Sequence, residues 1–285
     1  RLPLKVLHQI GVMLGWIIFY CSPTYAHRLR KNLVGAGLNR AGQKYYATEI
    51  NAILRANIAE MGKSASELPW VWCRPLHEVL HSVQACPGLE HVEAARARGQ
   101  GVIILTPHLG CFEITAQYYA YRAPAGPPLT VLYRPPKKKA LEPLLLAGRA
   151  RPNLRVAGAD LRGVRVLLRA LRHGEAIGIL PDQAPGVGEG EWAEFFGRPA
   201  YTMTLAGRLA GTSGAQLILA CAERLPQGRG YHLQLSAMPQ PLPGESPART
   251  LNRALEGLIR LCPAQYVWGY NRYKVPAGAQ APKSC

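Results

Sequence analysis

A histidine and a glutamate lie where an apolar strand gives way to a helix. The run Val102–Leu105 predicts a buried strand, Thr106-Pro107 ends it, and His108 follows at once. Gly110 opens the next helix, and Glu113 falls in its first turn. On a continuous helix a separation of five residues would place the two side chains ~140° apart, but a turn at Gly110 lets them converge. A carboxylate that hydrogen-bonds one imidazole nitrogen makes the other nitrogen a better base, so the pair predicts general-base chemistry.

No enzyme nucleophile accompanies this base in the sequence. No serine lies in a GxSxG elbow, and no HExxH motif is present. Cys111 lies in the same stretch, but free cysteines are most often buried packing residues. We therefore expect His108 to deprotonate a nucleophile of the substrate itself, which implies direct transfer from a bound donor to a bound acceptor. The alternative is a structural histidine at a strand end.

Polar side chains follow two further predicted strands. Arg134 comes directly after Leu129–Tyr133, and Asp182 with Gln183 follows Ala176–Leu180. Because the carboxyl ends of parallel strands meet at one edge of a sheet, we expect these side chains to lie beside His108. The planar fork of an arginine suits phosphate or carboxylate recognition. The alternative for Arg134 and Asp182 is a pair of strand-terminal salt bridges.

Alternating strands and helices must position these residues. After residue 88 the pattern predicts an α/β fold with a mostly parallel central sheet flanked by helices. The predicted strands are Leu89–Val92, Val102–Leu105, Leu129–Tyr133, Leu154–Val156, Ala176–Leu180, Gln216–Ala222 and Tyr231–Ala237. The predicted helices are 42–67 (ended by Leu68-Pro69-Trp70), Leu76–Val83, Glu93–Arg98, Cys111–Tyr121, Lys138–Ala150, Leu161–Leu171, Met203–Ala210 and Pro247–Leu261.

The N-terminus carries an apolar run, Val6–Cys21, followed by a basic cluster, Arg28-Leu29-Arg30-Lys31. The run is shorter than the ~20 residues that span a bilayer. Tryptophan and tyrosine in the run suit a membrane interface, and the basic cluster suits an anionic leaflet. We predict a membrane-associated helical segment over residues 1–35 and one α/β domain over 36–285, with a buried core helix as the alternative for the apolar run.

Composition narrows the classes of partner. The chain of 285 residues has a formal net charge of +17, which fits nucleic acid, an anionic membrane, or an acidic protein or phosphorylated substrate. Nucleic acid is disfavoured because aromatic residues do not interleave with the basic ones. The seven cysteines contain no CxxC pair, so neither disulfides nor a metal site is expected, and a reducing compartment is favoured.

Several motifs, in order along the chain, resemble the late acyltransferases of lipid A synthesis, the lauroyl/myristoyl transferase group of the lysophospholipid acyltransferase-like superfamily. His108 to Glu113 is similar to the His-x4-Asp/Glu motif of that family, Arg134 to its arginine motif and Pro181-Asp182-Gln183 to its Pro-Asp-Gln motif. Phe195–Ala200 and the late segment Pro263–Lys274 are also similar. Cys111-Phe112 and Ala184 depart from the residues that many members carry there.

The resemblance implies a glycerophosphate-acyltransferase-like fold and an acyltransferase at the cytoplasmic face of a bacterial inner membrane. Its catalytic residues would be the general base His108 and its partner Glu113, and Arg134, Asp182 and Gln183 would bind substrate. Acyl carrier protein or coenzyme A would supply the acyl group as a thioester, and a hydroxyl of a lipid A precursor would accept it by direct attack, with no other cofactor. The partners would be an acidic acyl carrier protein, an anionic glycolipid acceptor and the membrane surface.

Two other functions remain open from the sequence. A relative of the same family could acylate another acceptor, such as a phosphatidylinositol mannoside, a glycerophospholipid or another glycolipid. A non-catalytic basic protein that binds membranes is the second alternative, and His108→Ala separates it from an enzyme.

Overall fold

The computed structural model describes residues 2–40, 43–44, 47–122, 127–135, 140 and 142–282. The helices are α1 (Leu4–Cys21), α2 (Pro23–Gly35), α3 (Ala47–Cys73), α4 (Leu76–His81), α5 (Leu89–Ala97), α6 (Phe112–Arg122), α7 (Glu142–Arg149), α8 (Leu161–Arg172), α9 (Leu205–Ser213) and α10 (Pro247–Leu261). The strands are β1 (Asn39–Arg40), β2 (Gln43–Lys44), β3 (Val83–Ala85), β4 (Val102–Leu105), β5 (Leu129–Tyr133), β6 (Leu154–Gly158), β7 (Ala176–Ile179), β8 (Gly190–Phe195), β9 (Arg198–Met203), β10 (Gln216–Arg224) and β11 (Tyr231–Ala237).

Within the described residues, seven strands form one sheet in the order β3-β11-β10-β4-β7-β5-β6. Neighbouring strands are parallel except for the antiparallel pair β10 and β11. The predicted α/β class with a mostly parallel central sheet is therefore confirmed. Strands β8 and β9 pair separately as a hairpin.

The central strands are buried on both faces, as parallel strands covered by helices usually are. In β4, Ile103 and Leu105 face one core, with α8 and α10, and Val102 and Ile104 face a second core, with α5. Leu105 is in register with Ile179 of β7. The segments that leave these two strands, which contain His108 and Asp182, therefore begin side by side at one edge of the sheet.

Two predicted elements are wrong. Leu89–Val92 is not a strand but the first part of α5, whose buried residues Val92 and Ala95 are three apart, a helical spacing. Helix α3 continues through Pro69 instead of ending there. Proline costs a helix one hydrogen bond, and here burial of Val71 and Trp72 beyond it offsets the loss. The predicted helix starts at 42 and at Lys138 lie outside the described residues.

Helix α1 is long and apolar enough to be a candidate membrane segment. Its side chains divide into a part packed on α3 and an exposed apolar part. The exposed part contains Met13, Leu14, Ile17, Ile18 and Tyr20. On the packed side, a Cβ added to Gly62 of α3 would overlap the backbone of Gly11 and Gly15 in α1. The two helix backbones therefore touch, which only glycine permits at these positions.

A buried polar cluster also joins α1 to the α/β domain. His8 of α1 contacts Glu67 of α3 at 3.1 Å (Nε2 to Oε2), and Glu67 accepts hydrogen bonds from Arg224 at the end of β10 and from the hydroxyl of Tyr231. Burial raises the pKa of Glu67, but the charge of Arg224 and the hydrogen bonds outweigh it and lower the pKa to about 2. Glu67 is therefore an ionised partner for Arg224 inside the protein.

Candidate functional site

The loop after β4 holds His108 through its backbone. The carbonyl of His108 accepts from the N–H of Val267 at 3.2 Å, and the N–H of Gly110 donates to the carbonyl of Gln265 at 3.1 Å. Gly110 has a φ of +59°, and a Cβ there would overlap the carbonyl oxygen of Ala222. The turn therefore needs glycine at position 110. Its two backbone hydrogen bonds hold it against the segment that contains Gln265 and Val267.

Asp182, from the loop after β7, binds His108 at two points. Its Oδ1 accepts from Nδ1 of the imidazole at 2.8 Å, and its Oδ2 accepts from the backbone N–H of His108 at 3.0 Å. Asp182 is fully buried. With Nδ1 donating to the carboxylate, Nε2 is left as the basic nitrogen of the ring.

Burial alone would lower the pKa of His108. The charge and hydrogen bond of Asp182, followed by the charge of Glu113, outweigh that effect and raise the pKa above its ordinary value. For Asp182, burial raises the pKa, but the charge and hydrogen bonds of His108 prevail and lower it. The two groups thus form a dyad in which the carboxylate remains ionised and the imidazole is a strengthened base.

Two residues behind Asp182 complete its surroundings. Tyr266 is buried close enough to Asp182 for the charge of the carboxylate to act on its phenol, and the positive charge of Arg272 acts on the same carboxylate. Arg272 is itself buried and donates to the carbonyl of Tyr201 at 2.7 Å and to Oγ1 of Thr202 at 2.8 Å. These hydrogen bonds hold Arg272 in place, so its positive charge stays near the carboxylate of Asp182.

The basic nitrogen of His108 faces a cavity of about 240 Å³, whose walls include Phe112, Arg134, Arg149 and Gln183. Nε2 lies 3.3 Å from Nε2 of Gln183, and the ring of Phe112 packs against the imidazole with ring centroids 4.8 Å apart. Arg134 is exposed at the rim. The structure therefore brings His108, Arg134 and Gln183 to one cavity, at the edge of the sheet where the sequence predicted them.

His108 is paired with Asp182 in the structure, and not with Glu113 as the sequence predicted. Glu113, expected to bind the imidazole, instead accepts two hydrogen bonds from Arg149 of α7 and one from Nε1 of Trp72 at 3.3 Å. Asp182, expected to bind substrate, is buried against His108 and has no surface to offer a ligand. The reason is the strand order, because β4 and β7 are neighbours and their loops meet before α6 begins.

Arg149, Trp72, Tyr266 and Arg272 were not singled out by the residues alone. The Glu113–Arg149 pair joins residues 36 apart in sequence, which no local pattern reveals. Tyr266 and Arg272 do lie in the late segment that resembles the family, and that resemblance was the available signal. The pKa of Arg149 is raised, because the hydrogen bonds and charge of Glu113 outweigh the effect of burial.

A second and larger cavity adjoins the first. It has a volume of about 530 Å³ and extends between α8 and α9, and it shares five wall residues with the first cavity, Leu132, Arg134, Ala159, Pro185 and Met203. Its walls are mostly apolar and include Val164, Leu168, Met203, Leu205 and Leu209. An apolar chain with a polar head at His108 would fit this combined shape.

Cys111 is unsuited to nucleophilic chemistry. It is buried, and burial raises the pKa of its thiol well above the ordinary value. The thiolate that would act as nucleophile is therefore scarce at neutral pH. In the described part of the chain no group of three or more His, Cys, Asp or Glu side chains is placed to hold a metal ion.

Comparison with known proteins matches the chain to one family over nearly its whole length. A family described as "Bacterial lipid A biosynthesis acyltransferase" matches residues 1–275. The chain is 25% identical over 279 residues to "Lipid A biosynthesis lauroyltransferase" of Escherichia coli strain K12, covering 96% of this chain and 87% of that protein. It is also 25% identical over 283 residues to "Lipid A biosynthesis palmitoleoyltransferase" of the same organism, covering 98% and 88%. A Haemophilus influenzae "Lipid A biosynthesis acyltransferase" is 28% identical over 182 residues, covering 64% and 56%.

Proposed function

This chain belongs to the bacterial lipid A biosynthesis acyltransferase family and is an acyltransferase, and we propose that it moves a fatty acyl chain from an acyl carrier protein thioester to a hydroxyl of a lipid A precursor. The observation that supports the proposal most is the His108–Asp182 dyad. Nε2 of His108 faces the cavity of about 240 Å³, which adjoins the mostly apolar cavity of about 530 Å³.

In the proposed reaction, Nε2 of His108 accepts the proton of the acceptor hydroxyl as its oxygen attacks the thioester carbonyl. Asp182 stabilises the imidazolium that forms. The tetrahedral intermediate then collapses, the carbon–sulfur bond breaks, and the leaving thiolate takes the proton from His108. The new ester and the free thiol balance the reaction, and no covalent enzyme intermediate is formed.

Glu113 assists His108 indirectly in this mechanism. Its negative charge raises the pKa of His108, and its hydrogen bonds hold Arg149 at the wall of the same cavity. A guanidinium there can stabilise negative charge that develops on the carbonyl oxygen. Arg134, exposed at the rim, is proposed to contact a phosphate of the acceptor, and Gln183 to orient the hydroxyl beside Nε2.

The larger cavity is proposed to hold the acyl chain. Each methylene that enters it gains ~0.8 kcal/mol, which favours binding of a long chain over a short one. The sequence-based placement at the cytoplasmic face of the inner membrane remains part of this proposal. It is supported by the exposed apolar part of α1 and by the net charge of +17.

The proposal is tested with the purified full chain, a defined acyl-carrier-protein thioester and a lipid A precursor. Mass spectrometry identifies the lipid that gains an acyl chain. We expect His108→Ala to lower the rate ~10²–10⁴-fold, the contribution of a positioned base. His173→Ala, which removes an exposed histidine from the C-terminal end of α8, is the matched control and should leave the rate unchanged. An unchanged rate in His108→Ala would refute the mechanism, and acylation of only another lipid would refute the acceptor.

A further inference from the structure

A basic cleft lies along α2, apart from the cavities at His108. The cleft has a volume of about 550 Å³, and its walls include His27, Arg28, Lys31, Arg198 and Tyr273. We propose that this α2 cleft binds the anionic headgroup of a phospholipid at the membrane surface. The inference rests on the membrane placement in the proposed function, but not on the acyl-transfer chemistry.

The cleft concentrates positive charge that the protein leaves uncompensated. His27 and Arg28 lie one turn before Lys31 on the same face of α2, since residues three and four apart are neighbours on a helix. No carboxylate lines the cleft. Among the described residues, no Asp or Glu forms an ion pair with Arg28, Lys31 or Arg198. An anionic ligand would therefore meet no competing carboxylate at these cations.

The opposite wall is held in place before any ligand arrives. The guanidinium of Arg198 lies 3.6 Å from the ring centroid of Tyr273, and the hydroxyl of Tyr273 donates to the carbonyl of Phe195 at 3.2 Å. On the side of α2, Asn32 donates to the carbonyls of Trp268 and Tyr270 at 2.8 and 3.0 Å. A preset arginine loses little side-chain entropy when it binds, and its fork matches the oxygens of a phosphodiester.

The position of the cleft favours a lipid over a soluble anion. It begins at the first residues of α2, directly after the exposed apolar part of α1 ends. At this junction Trp16 stacks on Tyr20 with ring centroids 5.8 Å apart, and Arg30 lies 4.5 Å from the ring centroid of Phe19. Tryptophan and tyrosine side chains prefer the membrane–water interface, and basic side chains beside them are attracted to anionic lipid headgroups. A phospholipid whose chains lie along α1 would place its phosphate in the cleft.

The test measures lipid binding by the full chain in detergent, with no acyl donor present. Native mass spectrometry follows the fraction of protein with one bound lipid as phosphatidylglycerol or phosphatidylcholine is added. The variant Arg28→Gln/Lys31→Gln/Arg198→Gln empties the cleft of fixed charge. The matched control Arg162→Gln/Arg165→Gln/Arg169→Gln removes three exposed arginines from α8.

We expect the wild type to prefer phosphatidylglycerol, and the cleft variant to lose affinity for it roughly 100-fold, from ~1 kcal/mol for each charge near the surface. The control variant should bind like the wild type. If the triple variant unfolds at a lower temperature than the wild type, Lys31→Gln alone replaces it and should weaken binding about fivefold.

Three results would overturn the inference. Equal binding of the two lipids by the wild type would show that the headgroup is not recognised. Equal losses in the two triple variants would show a diffuse attraction instead of a site. Displacement of the lipid by millimolar inorganic phosphate at constant ionic strength would identify a site for free phosphate. The experiment measures lipid binding and no acyl transfer. A failure of the proposed reaction would therefore leave the lipid-binding result unchanged, and a failure of lipid binding in the cleft would not refute the proposed reaction.

Discussion

Asp182 holds His108 by both the imidazole and the backbone, with Oδ1 2.8 Å from Nδ1 and Oδ2 3.0 Å from the peptide nitrogen. One carboxylate therefore sets the tautomer of the ring and the position of the residue that bears it. This double contact directs Nε2 toward the cavity without help from Glu113, whose carboxylate is engaged by Arg149 and Trp72.

The double contact predicts a large effect of Asp182→Asn. The neutral amide can keep the shape of the site, but it no longer stabilises the imidazolium, so kcat should fall on the order of 10²–10⁴-fold. Single-turnover acyl transfer measures the effect, and circular dichroism of the variant provides the check on folding. A loss smaller than threefold in a folded variant would show that Asp182 is structural only.

The rate should depend on pH through His108. Since the pKa of His108 is raised and only the neutral ring is a base, kcat/KM should increase with pH through an inflection above the ordinary value of about 6.5. Glu113→Gln removes a negative charge that raises this pKa, so the inflection should move to lower pH. If the inflection stays at the same pH in Glu113→Gln, the charge of Glu113 does not contribute to the pKa of His108.

The Glu113–Arg149 pair should contribute to stability as well as to activity. Glu113→Gln leaves the guanidinium without its charged partner, which costs ~3–5 kcal/mol when a pair is fully buried. Because the side chain of Arg149 is 22% exposed, we expect roughly 2 kcal/mol, measured as the free energy of unfolding in urea. Arg155→Gln, which breaks an exposed ion pair with Glu175 at 3.7 Å, is the control and should cost at most about 1 kcal/mol. An equal loss of unfolding free energy in Glu113→Gln and Arg155→Gln would show that the Glu113–Arg149 pair is no stronger than an exposed ion pair.

The larger cavity should determine the preferred acyl length. Leu168→Trp reduces its volume, so the preferred donor should become shorter, with a change of about fourfold in relative kcat/KM per methylene lost. Competition between donors of ten, twelve and fourteen carbons, read by mass spectrometry, gives the ratio directly. Val166→Trp places the same side chain on the exposed side of α8 and should leave the preference unchanged. A shift with Val166→Trp, or none with Leu168→Trp, would place the acyl chain elsewhere.

The sequence was sufficient for the parts of the site that depend on strand ends. His108, Arg134 and Gln183 could be placed together because an apolar run followed by a polar residue marks the carboxyl end of a parallel strand. The helix Pro247–Leu261 was predicted with its observed bounds, and in the structure Ser246 caps its first turn and proline follows at once.

Contacts between distant segments could not be predicted in this way. The partner of Glu113 depends on where α7 packs, and the partner of His108 depends on the adjacency of β4 and β7 in the sheet. Both require the tertiary arrangement. Likewise, the continuation of α3 through Pro69 and the helical state of Leu89–Val92 follow from burial against other elements, which outweighs local preference.

The contact between α1 and α3 bears on how this enzyme can be produced. Removing α1 would uncover the glycine-lined face at Gly62 and take from Glu67 its contact with His8. A protein without α1 should therefore fold less stably. Polar substitutions at Met13 and Ile17, which lie on the exposed side, would reduce the apolar surface of α1 while its packing on α3 stays in place.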